Sequence, residues 1–226
     1  RILRIYRIAK YILLNLDNNF SLVIHLGMSG RIKLVSSKVY KYNKHDHFIL
    51  YLSNKKMLIL NDQRKFGFID IIETKKISNS KYFVRLGVDP FDKKLNFTYL
   101  CENFKYKTKS IKNLLLDQNI ISGIGNIYAN EILYDAKISP FVKANSLKIN
   151  ELKRIIRSIN KILKKAIYFG GSSLKDFKSI DGVLGNFQKN FKVYNREGKT
   201  IYGSQVIRVI QSGRSTFYCP RIQKYS

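Results

Sequence analysis

The spacing of apolar residues changes about a third of the way along this chain of 226 residues, and that change constrains the fold most. Up to residue 86, short apolar runs alternate with polar turns, a pattern typical of β-structure. After a segment that contains Gly87 and Pro90, apolar residues recur at helical spacing, and from residue 191 the β pattern returns. We therefore predict an α+β protein of two domains, with a β-sandwich or small barrel at 1–86, a linker at 87–98, a helical domain at 99–190 and a β-hairpin at 191–226.

The same pattern predicts individual elements. The apolar pattern of residues 2–8 is strand-like, and five further strands are predicted at 11–16, 20–26, 46–52, 56–60 and 68–72. Short helices are predicted at 111–115 and 127–133. A longer amphipathic helix is predicted from Leu152 to Ala166.

The net charge of the chain indicates what kind of partner the protein binds. Lys and Arg number 42 against 15 Asp and Glu, a formal net charge of +27. Such an excess repels itself unless a polyanion shares the surface, so nucleic acid is the first candidate partner and an anionic membrane the second. An AT-rich genome, which enriches Lys and Asn codons, is the alternative explanation. No apolar run approaches the roughly 20 residues of a membrane span, and two cysteines exclude a disulfide framework.

One local motif is suited to binding an anion. Gly123 and Gly125 precede a predicted helix that begins near Asn126. Glycines let the backbone approach a ligand closely, and the first amides of a helix point towards an anion. An ordinary glycine turn between two core helices has the same spacing. The spacing alone leaves both interpretations open.

Longer strings carry a family resemblance. Residues 123–131, Gly-Ile-Gly-Asn-Ile-Tyr-Ala-Asn-Glu, resemble the helix–two-turn–helix motif of the formamidopyrimidine-DNA glycosylase family. Residues 25–30, His-Leu-Gly-Met-Ser-Gly, match a loop of the same family. The resemblance covers essentially the whole chain, because further strings follow in the family's order at 7–14, 44–47, 62–67, 86–90, 170–177 and 211–219.

The resemblance implies a fold and an activity together. It makes 1–86 an N-terminal β-sandwich catalytic domain that is incomplete at its start. It makes 99–190 a helix–two-turn–helix DNA-binding domain with a lesion-capping loop at about 170–187, and 191–226 a degenerate zinc-finger-like hairpin. DNA is expected in a basic cleft between the two domains. The implied activity is that of a bifunctional DNA glycosylase and AP lyase of base-excision repair. Such an enzyme flips 8-oxoguanine or formamidopyrimidines out of duplex DNA and then cleaves the abasic site.

The same resemblance implies the binding partner, oligomeric state, cofactor requirement and cellular location of the protein. The expected partner is double-stranded DNA that carries an oxidised purine or an abasic site, with no role for a membrane. The protein is expected to be a monomer and to need no cofactor for its chemistry. The expected location is the bacterial cytoplasm, at the nucleoid, or an organelle of an AT-rich lineage.

Roles at matching positions are also implied. Met28, Arg64 and Phe66 match the residues that fill the void left by a flipped base, and Arg64 is expected to bond the opposite base. Core packing is the alternative for Met28 and Phe66, but both lie in glycine-flanked loops. Lys10 and Arg214 match residues linked to β- and δ-elimination and to phosphate contacts, and a solvated charge is the alternative for each. Further DNA contacts are assigned to His25, His45, Lys107, Asn126 and Tyr128.

The chain departs from the family in its catalytic residues. The family's nucleophile is an N-terminal proline whose secondary amine forms an imine with the sugar, and a neighbouring glutamate acts as acid and base. Both are expected to belong to a segment ahead of Arg1, so this chain alone is not expected to excise bases. An internal proline such as Pro90 cannot substitute, because its nitrogen is an amide. A non-catalytic damaged-DNA-binding protein from a decayed gene is the alternative.

The second departure concerns zinc. The family's finger uses four cysteines, whereas here only Cys219 remains, with Ile222 at its partner position and Ile201 and Ser204 near the other pair. We expect no zinc. His45 and His47 lack a third ligand, so a phosphate contact or a structural role is favoured there over a metal. The hairpin is expected to pack through Val193, Tyr194, Ile201, Val206, Ile207, Val209, Phe217 and Tyr218.

Overall fold

The computed structural model of the chain describes residues 1–172 and 185–224. It divides into two compact units, unit 1 (Arg1–Val84 and Tyr168–Gln188) and unit 2 (Arg85–Ile167 and Lys189–Ser226). Strands build unit 1 and helices dominate unit 2, so the predicted α+β class is confirmed. The sequence placed residues 168–172 and 185–188 in the helical domain, whereas the structure groups them with unit 1. Most of the predicted capping loop lies outside the described residues.

Unit 1 is built from two antiparallel sheets. One has the strand order β1-β2-β3-β7 and the other β4-β6-β5. All six strand-like segments of the sequence are strands, and β4 is an addition that the sequence analysis did not predict. The seven strands are β1 (Ile2–Ile8), β2 (Tyr11–Leu16), β3 (Phe20–His25), β4 (Arg31–Ser36), β5 (Asp46–Tyr51), β6 (Lys56–Asn61) and β7 (Phe68–Glu73).

The core of unit 1 lies between these sheets. Leu14, Leu22 and Ile24 project from β2 and β3, and they pack with Ile32 of β4 and Leu60 of β6. Each of the five is at most 7% exposed. Because both sheets contribute one apolar face to a single core, the arrangement is that of a sandwich.

Unit 2 contains the four helices, α1 (Phe97–Phe104), α2 (Ile111–Leu115), α3 (Asn126–Asp135) and α4 (Ile149–Tyr168). In α4, Leu152, Ile155, Ile159, Ile162 and Ala166 of the predicted apolar face are buried, and Ile156 and Leu163 are half-buried. The Lys and Arg residues of the opposite face are exposed, as predicted. No helix in the described part of the chain combines the length and apolarity needed to cross a membrane.

Residues 87–98 do not form a free linker. The Gly87 amide donates to the Gln118 carbonyl at 2.8 Å, and the Val88 carbonyl accepts from the Ser122 amide at 3.0 Å. An added Cβ at Gly87 would lie 2.2 Å from the Ile120 carbonyl oxygen, so the segment is pressed against the α2–α3 turn. It therefore belongs to unit 2, and α1 begins within it.

The C-terminal hairpin is shorter than predicted. Its strands form two separate antiparallel pairs: β8 (Thr200–Ile201) with β9 (Ser204–Gln205), and β10 (Ile207–Gln211) with β11 (Arg214–Tyr218). We call the second pair the hairpin. The β pattern that starts at Phe191 does not become a strand there, because the amides of residues 192–194 bond a side chain of α3 and are not available to a sheet.

Candidate nucleic-acid interface

Strand register gathers most of the predicted site residues of unit 1 at one end of one sheet. Tyr11 pairs with Ile8 and with His25. His25 pairs in turn with Phe68. Lys10 is exposed in the turn before Tyr11. Because these pairs are in register, the turn with Lys10, the loop after His25 and the loop before Phe68 leave the sheet side by side.

Two of these loops expose large apolar side chains, and we call them the wedge loops (26–30 and 62–67). Met28 is 59% exposed and Phe66 is 58% exposed, so core packing does not describe either. The Arg64 guanidinium lies 5.2 Å from the centroid of the Phe66 ring, within cation–π range. Exposed apolar side chains beside a cation are the composition that a wedge between stacked bases requires.

The wedge loops approach each other at Gly27. Its φ is +60°, in the left-handed region, and an added Cβ would lie 2.7 Å from the backbone carbonyl carbon of Phe66. Only glycine meets both conditions without a shift of the chain. The close approach of these loops therefore depends on a residue without a side chain.

His25 supports the first wedge loop. Its ring lies 4.9 Å from the Tyr11 ring and 5.6 Å from the Phe68 ring, centroid to centroid. Its Nδ1 accepts the Gly27 amide at 3.1 Å. Burial lowers the pKa of His25, and the charge of Lys10 lowers it further. The imidazole is therefore neutral at physiological pH, with its proton on Nε2, the nitrogen left for an external acceptor.

His45 and His47 precede and occupy the start of β5. The His45 carbonyl accepts the Asp62 amide at 2.9 Å, which places His45 next to the second wedge loop. His47 Nε2 lies 2.8 Å from the Asp62 carbonyl oxygen, so its role is structural.

In unit 2, the glycine motif does lead into a helix. Gly125 is the N-cap of α3 and no side chain caps the first amides. Gln118, which the sequence analysis did not identify, shapes the turn before it. Its Oε1 accepts the Gly123 amide at 2.8 Å, and its Nε2 donates to the Ile124 carbonyl at 3.1 Å. The uncapped amides at the start of α3 keep the geometry of an anion site.

Asn126, a predicted DNA contact, has a partner within the protein. Its Nδ2 donates to the Ser215 carbonyl of β11 at 3.0 Å, and its Oδ1 is buried without a partner. The side chain thus joins α3 to the hairpin. Tyr128, further along the first turns of the helix, is half-buried, and Lys107 is exposed after α1.

Arg214 begins β11 at the tip of the hairpin and is exposed. It lines a cleft of about 500 Å³ together with Lys109, Asn113 and Ser212. Asn113 Nδ2 donates to the Ser212 hydroxyl at 2.9 Å, which holds the tip against α2. Arg214 and polar groups in and just before α2 therefore share one surface of unit 2.

The hairpin packs around Cys219 without a metal-ligand set. Cys219 is buried with Val193, Val206 and Phe217, and the side chains packed against them are Tyr134, Tyr194, Ile201 and Ile222. Burial raises the pKa of the Cys219 thiol, although a hydrogen bond with Ser204 opposes this. Across residues 1–172 and 185–224, no three His, Cys, Asp or Glu side chains form a metal site. The residues present do not fit zinc.

Three residues of the predicted hairpin core are not among the side chains packed around Cys219. Ile207 is 40% exposed, and Val209 is half-buried. The Tyr218 ring lies edge-on to Phe141, with ring centroids 5.1 Å apart. The consecutive residues Thr216 and Phe217 are both buried, so alternation along β11 does not predict which side chains reach the core.

Glu131 of α3 anchors the start of the hairpin segment and was assigned no role from the sequence. The residue is 1% exposed, and its carboxylate accepts the backbone amides of Lys192, Val193 and Tyr194 at 2.8–3.0 Å. Burial raises the pKa of Glu131, and those three bonds oppose the shift. The apolar residues Ala129, Ile132 and Leu133 near it in α3 are the one sequence clue to its burial.

Comparisons with known proteins agree with this architecture. The Formamidopyrimidine-DNA glycosylase N-terminal domain family matches residues 1–69, and the Formamidopyrimidine-DNA glycosylase H2TH domain family matches residues 86–178. A formamidopyrimidine-DNA glycosylase of Rickettsia africae is 45% identical over 224 residues, which span 98% of this chain and 81% of the relative. The chain belongs to the formamidopyrimidine-DNA glycosylase family. A family member from Roseobacter denitrificans is 40% identical over 235 residues, covering 99% of this chain and 83% of the relative.

Solved structures of the family have the same fold. The Lactococcus lactis Fpg in complex with an abasic site containing DNA superposes with a TM-score of 0.91 at 32% identity, covering 99% of this chain and 82% of that one. The MutM (Fpg) protein of Thermus thermophilus gives 0.90 at 34% identity, covering 100% of this chain and 84% of that one. The family fold predicted from the sequence motifs is therefore confirmed.

Proposed function

We propose that this protein recognises oxidised purines and abasic sites in duplex DNA, as a base-excision repair glycosylase does. The observation that carries the proposal is the pair of exposed apolar side chains, Met28 and Phe66, on loops that contact each other at Gly27. An isolated exposed apolar residue is ordinary, but two on adjoining loops beside Arg64 form a wedge. The Lactococcus lactis relative with this fold is named as a complex with abasic site containing DNA, which supports the same partner here.

Unit 2 supports the proposal through its charge and its helix geometry. The uncapped amides of α3 and the exposed Lys107 are suited to phosphate oxygens, and Arg214 adds a cation at the hairpin tip. These contacts carry no sequence information, whereas the wedge responds to a missing or extruded base. We assign general affinity for DNA to unit 2 and preference for damage to the wedge.

A binding measurement tests this division. Fluorescence anisotropy compares a duplex that contains a tetrahydrofuran abasic analogue opposite cytosine with the same duplex intact. We expect the protein to prefer the abasic duplex and Met28→Ala to lose most of that preference. Val39→Ala is the matched control, because Val39 is 80% exposed in unit 1 but lies outside the wedge loops. Equal affinity of the unaltered protein for both duplexes would refute the proposal.

The chemistry of excision is a second part of the proposal. By resemblance, the nucleophile is the family's N-terminal proline, the acid and base is the neighbouring glutamate, and Lys10 and Arg214 assist the elimination steps. Lys10 lies at the same sheet end as the wedge loops, which supports its place near an extruded nucleotide. We propose that glycosylase and lyase activity requires the proline and glutamate together with these residues.

Borohydride trapping on duplex with 8-oxoguanine opposite cytosine tests the second part. The chain as printed is compared with a form that includes the N-terminal proline and glutamate. A covalent adduct with the longer form alone would support the proposal. If neither form is trapped while both prefer abasic duplex, the non-catalytic damage-binding alternative replaces it.

A further inference from the structure

Asp62 is the first residue of the second wedge loop and is 1% exposed. Both of its backbone polar groups bond the segment at the start of β5. Its amide donates to the His45 carbonyl at 2.9 Å, and its carbonyl oxygen lies 2.8 Å from His47 Nε2. The backbone of Asp62 is therefore fixed on the β5 side.

The carboxylate of Asp62 joins the two wedge loops. Oδ1 accepts the hydroxyl of Ser29, which follows Met28 in the first loop. Oδ1 also accepts the Arg64 amide at 3.2 Å, and Oδ2 accepts the Gly67 amide at 2.7 Å. Ser29 is 3% exposed, and its hydroxyl accepts the Arg64 amide in turn, at 3.2 Å. The side chain of Asp62 thus bonds residues of both wedge loops.

These bonds are of the strong, charge-assisted kind. Burial by itself would raise the pKa of Asp62, but the Ser29 hydroxyl and the amides of residues 64, 66 and 67 lower it below 3.8. The carboxylate is therefore ionised at neutral pH, and each bond to it is stronger than one between neutral groups.

We propose that Asp62 is a positioning residue for the wedge: its carboxylate fixes the Met28 loop and the Arg64–Phe66 loop in the arrangement that enters a duplex. Asp62 itself does not touch DNA. Without the carboxylate, the Ser29 hydroxyl and the Gly67 amide lose their acceptor, and the Arg64 amide keeps only the Ser29 hydroxyl. The loops therefore gain freedom. Fixing the two loops on binding then lowers the affinity for damaged duplex. The affinity for intact duplex, which we assign to unit 2, is unaffected. This inference rests on the proposed function, because it assigns the wedge its support.

Affinity of the full chain for abasic and intact duplex, measured by anisotropy, tests the inference. Loss of one charge-assisted hydrogen bond is worth about tenfold, so we expect Asp62→Ala to lower the preference for abasic duplex at least about tenfold. Affinity for intact duplex should stay unchanged. Asp62→Asn keeps one acceptor oxygen and should lose less. Glu73→Ala is the matched control, since Glu73 bonds Lys76 at the end of β7 away from the wedge loops.

A double-mutant cycle separates positioning from a general loss of structure. If Asp62 acts through the wedge, Met28→Ala lowers the abasic preference in the unaltered protein but adds little in Asp62→Ala. Additive losses, or an equal loss on both duplexes, would overturn the inference. If Asp62→Ala does not fold, Ser29→Ala, which removes one of the bonds, takes its place in the same cycle and must show the same non-additivity.

The two proposals fail in different ways. If the unaltered protein does not distinguish abasic from intact duplex, the proposed function fails and the inference fails with it. If the unaltered protein distinguishes them and Asp62→Ala does so equally well, only the role of Asp62 is refuted.

Discussion

Replacing Lys112 by methionine should change how the stability of the protein depends on pH. Lys112 lies in α2 and is fully buried, yet its Nζ has two acceptors in the hairpin. It donates to the Ser215 carbonyl at 3.0 Å and to the Thr216 hydroxyl at 2.6 Å. Burial, and then the nearby charge of Arg214, lower the pKa of Lys112 from 10.5 to about 8.

The size of the effect follows from that shift. Below pH 8 the folded and unfolded states both carry the proton, so the folded state bears the whole penalty of a buried ammonium group. Between pH 8 and 10.5 the unfolded state binds more protons, so the free energy of unfolding rises with pH. A shift of this size corresponds to roughly 3 kcal/mol in total, of which roughly 2 kcal/mol is gained between about pH 7 and 9.5.

Methionine should remove this pH dependence without leaving buried groups unpaired. The Ser215 carbonyl keeps its bond from Asn126 Nδ2 at 3.0 Å, and the Thr216 hydroxyl keeps Gln211 Oε1 at 3.1 Å. We therefore expect Lys112→Met to fold, and to be relatively more stable at neutral pH than in the alkaline range.

Urea unfolding at intervals from about pH 7 to 9.5 measures the difference between the two proteins. Because the other titratable groups are the same in both proteins, their contributions cancel in the difference between the two free energies of unfolding. Lys109→Met, an exposed change in the same segment, should give a profile parallel to that of the unaltered protein. Profiles of Lys112→Met and the unaltered protein that stay parallel to within about 0.5 kcal/mol would refute the reasoning, since the pKa of Lys112 would then be ordinary in the fold.

Three further outcomes are expected. Gly27→Ala places a Cβ at a left-handed φ and 2.7 Å from a backbone atom, so it should lower the free energy of unfolding by about 2 kcal/mol or more. Gly198→Ala has only the left-handed φ, +79°, with no atom within 4 Å, and should lower it by about 1 kcal/mol. Equal losses of stability in urea would contradict the close contact. Glu131→Ala leaves three backbone amides without their acceptor, that of Val193 buried, and should lower the free energy of unfolding by about 3 kcal/mol. A loss below about 1 kcal/mol would show that the anchor is dispensable. Dialysis against a chelator should leave the melting temperature unchanged, because Cys219 packs among apolar side chains. A lower melting temperature, restored by zinc, would disprove the zinc-free hairpin.

Much of the fold could be predicted from the sequence because the spacing of apolar residues is a local property of the chain. The apolar runs at 11–16 and 20–26 and the helical spacing from Leu152 to Ala166 each indicate an element by themselves. Strand β4 was missed, although Arg31 and Lys33 alternate with Ile32 and Leu34 as in a half-buried strand. Family motifs identified Met28 and Phe66, and their exposure agrees with a wedge.

The groups that hold the site together could not be predicted in the same way. Ser29 and Asp62 are 33 positions apart, Glu131 and the amides it accepts are 61–63 apart, and Lys112 and Thr216 are 104 apart. A pattern of residue types carries no information on which distant groups meet, because that depends on strand register and helix packing.

The sequence by itself therefore determined the family, the two kinds of domain and the residues that the motifs name. Only the tertiary structure decided that Asp62, Glu131 and Lys112 are buried and which partners they have. The physical reason is that an ionisable side chain in a soluble protein is expected to be solvated unless the fold supplies enough hydrogen bonds to replace water. Those bonds exist only once strands, turns and helices have come together.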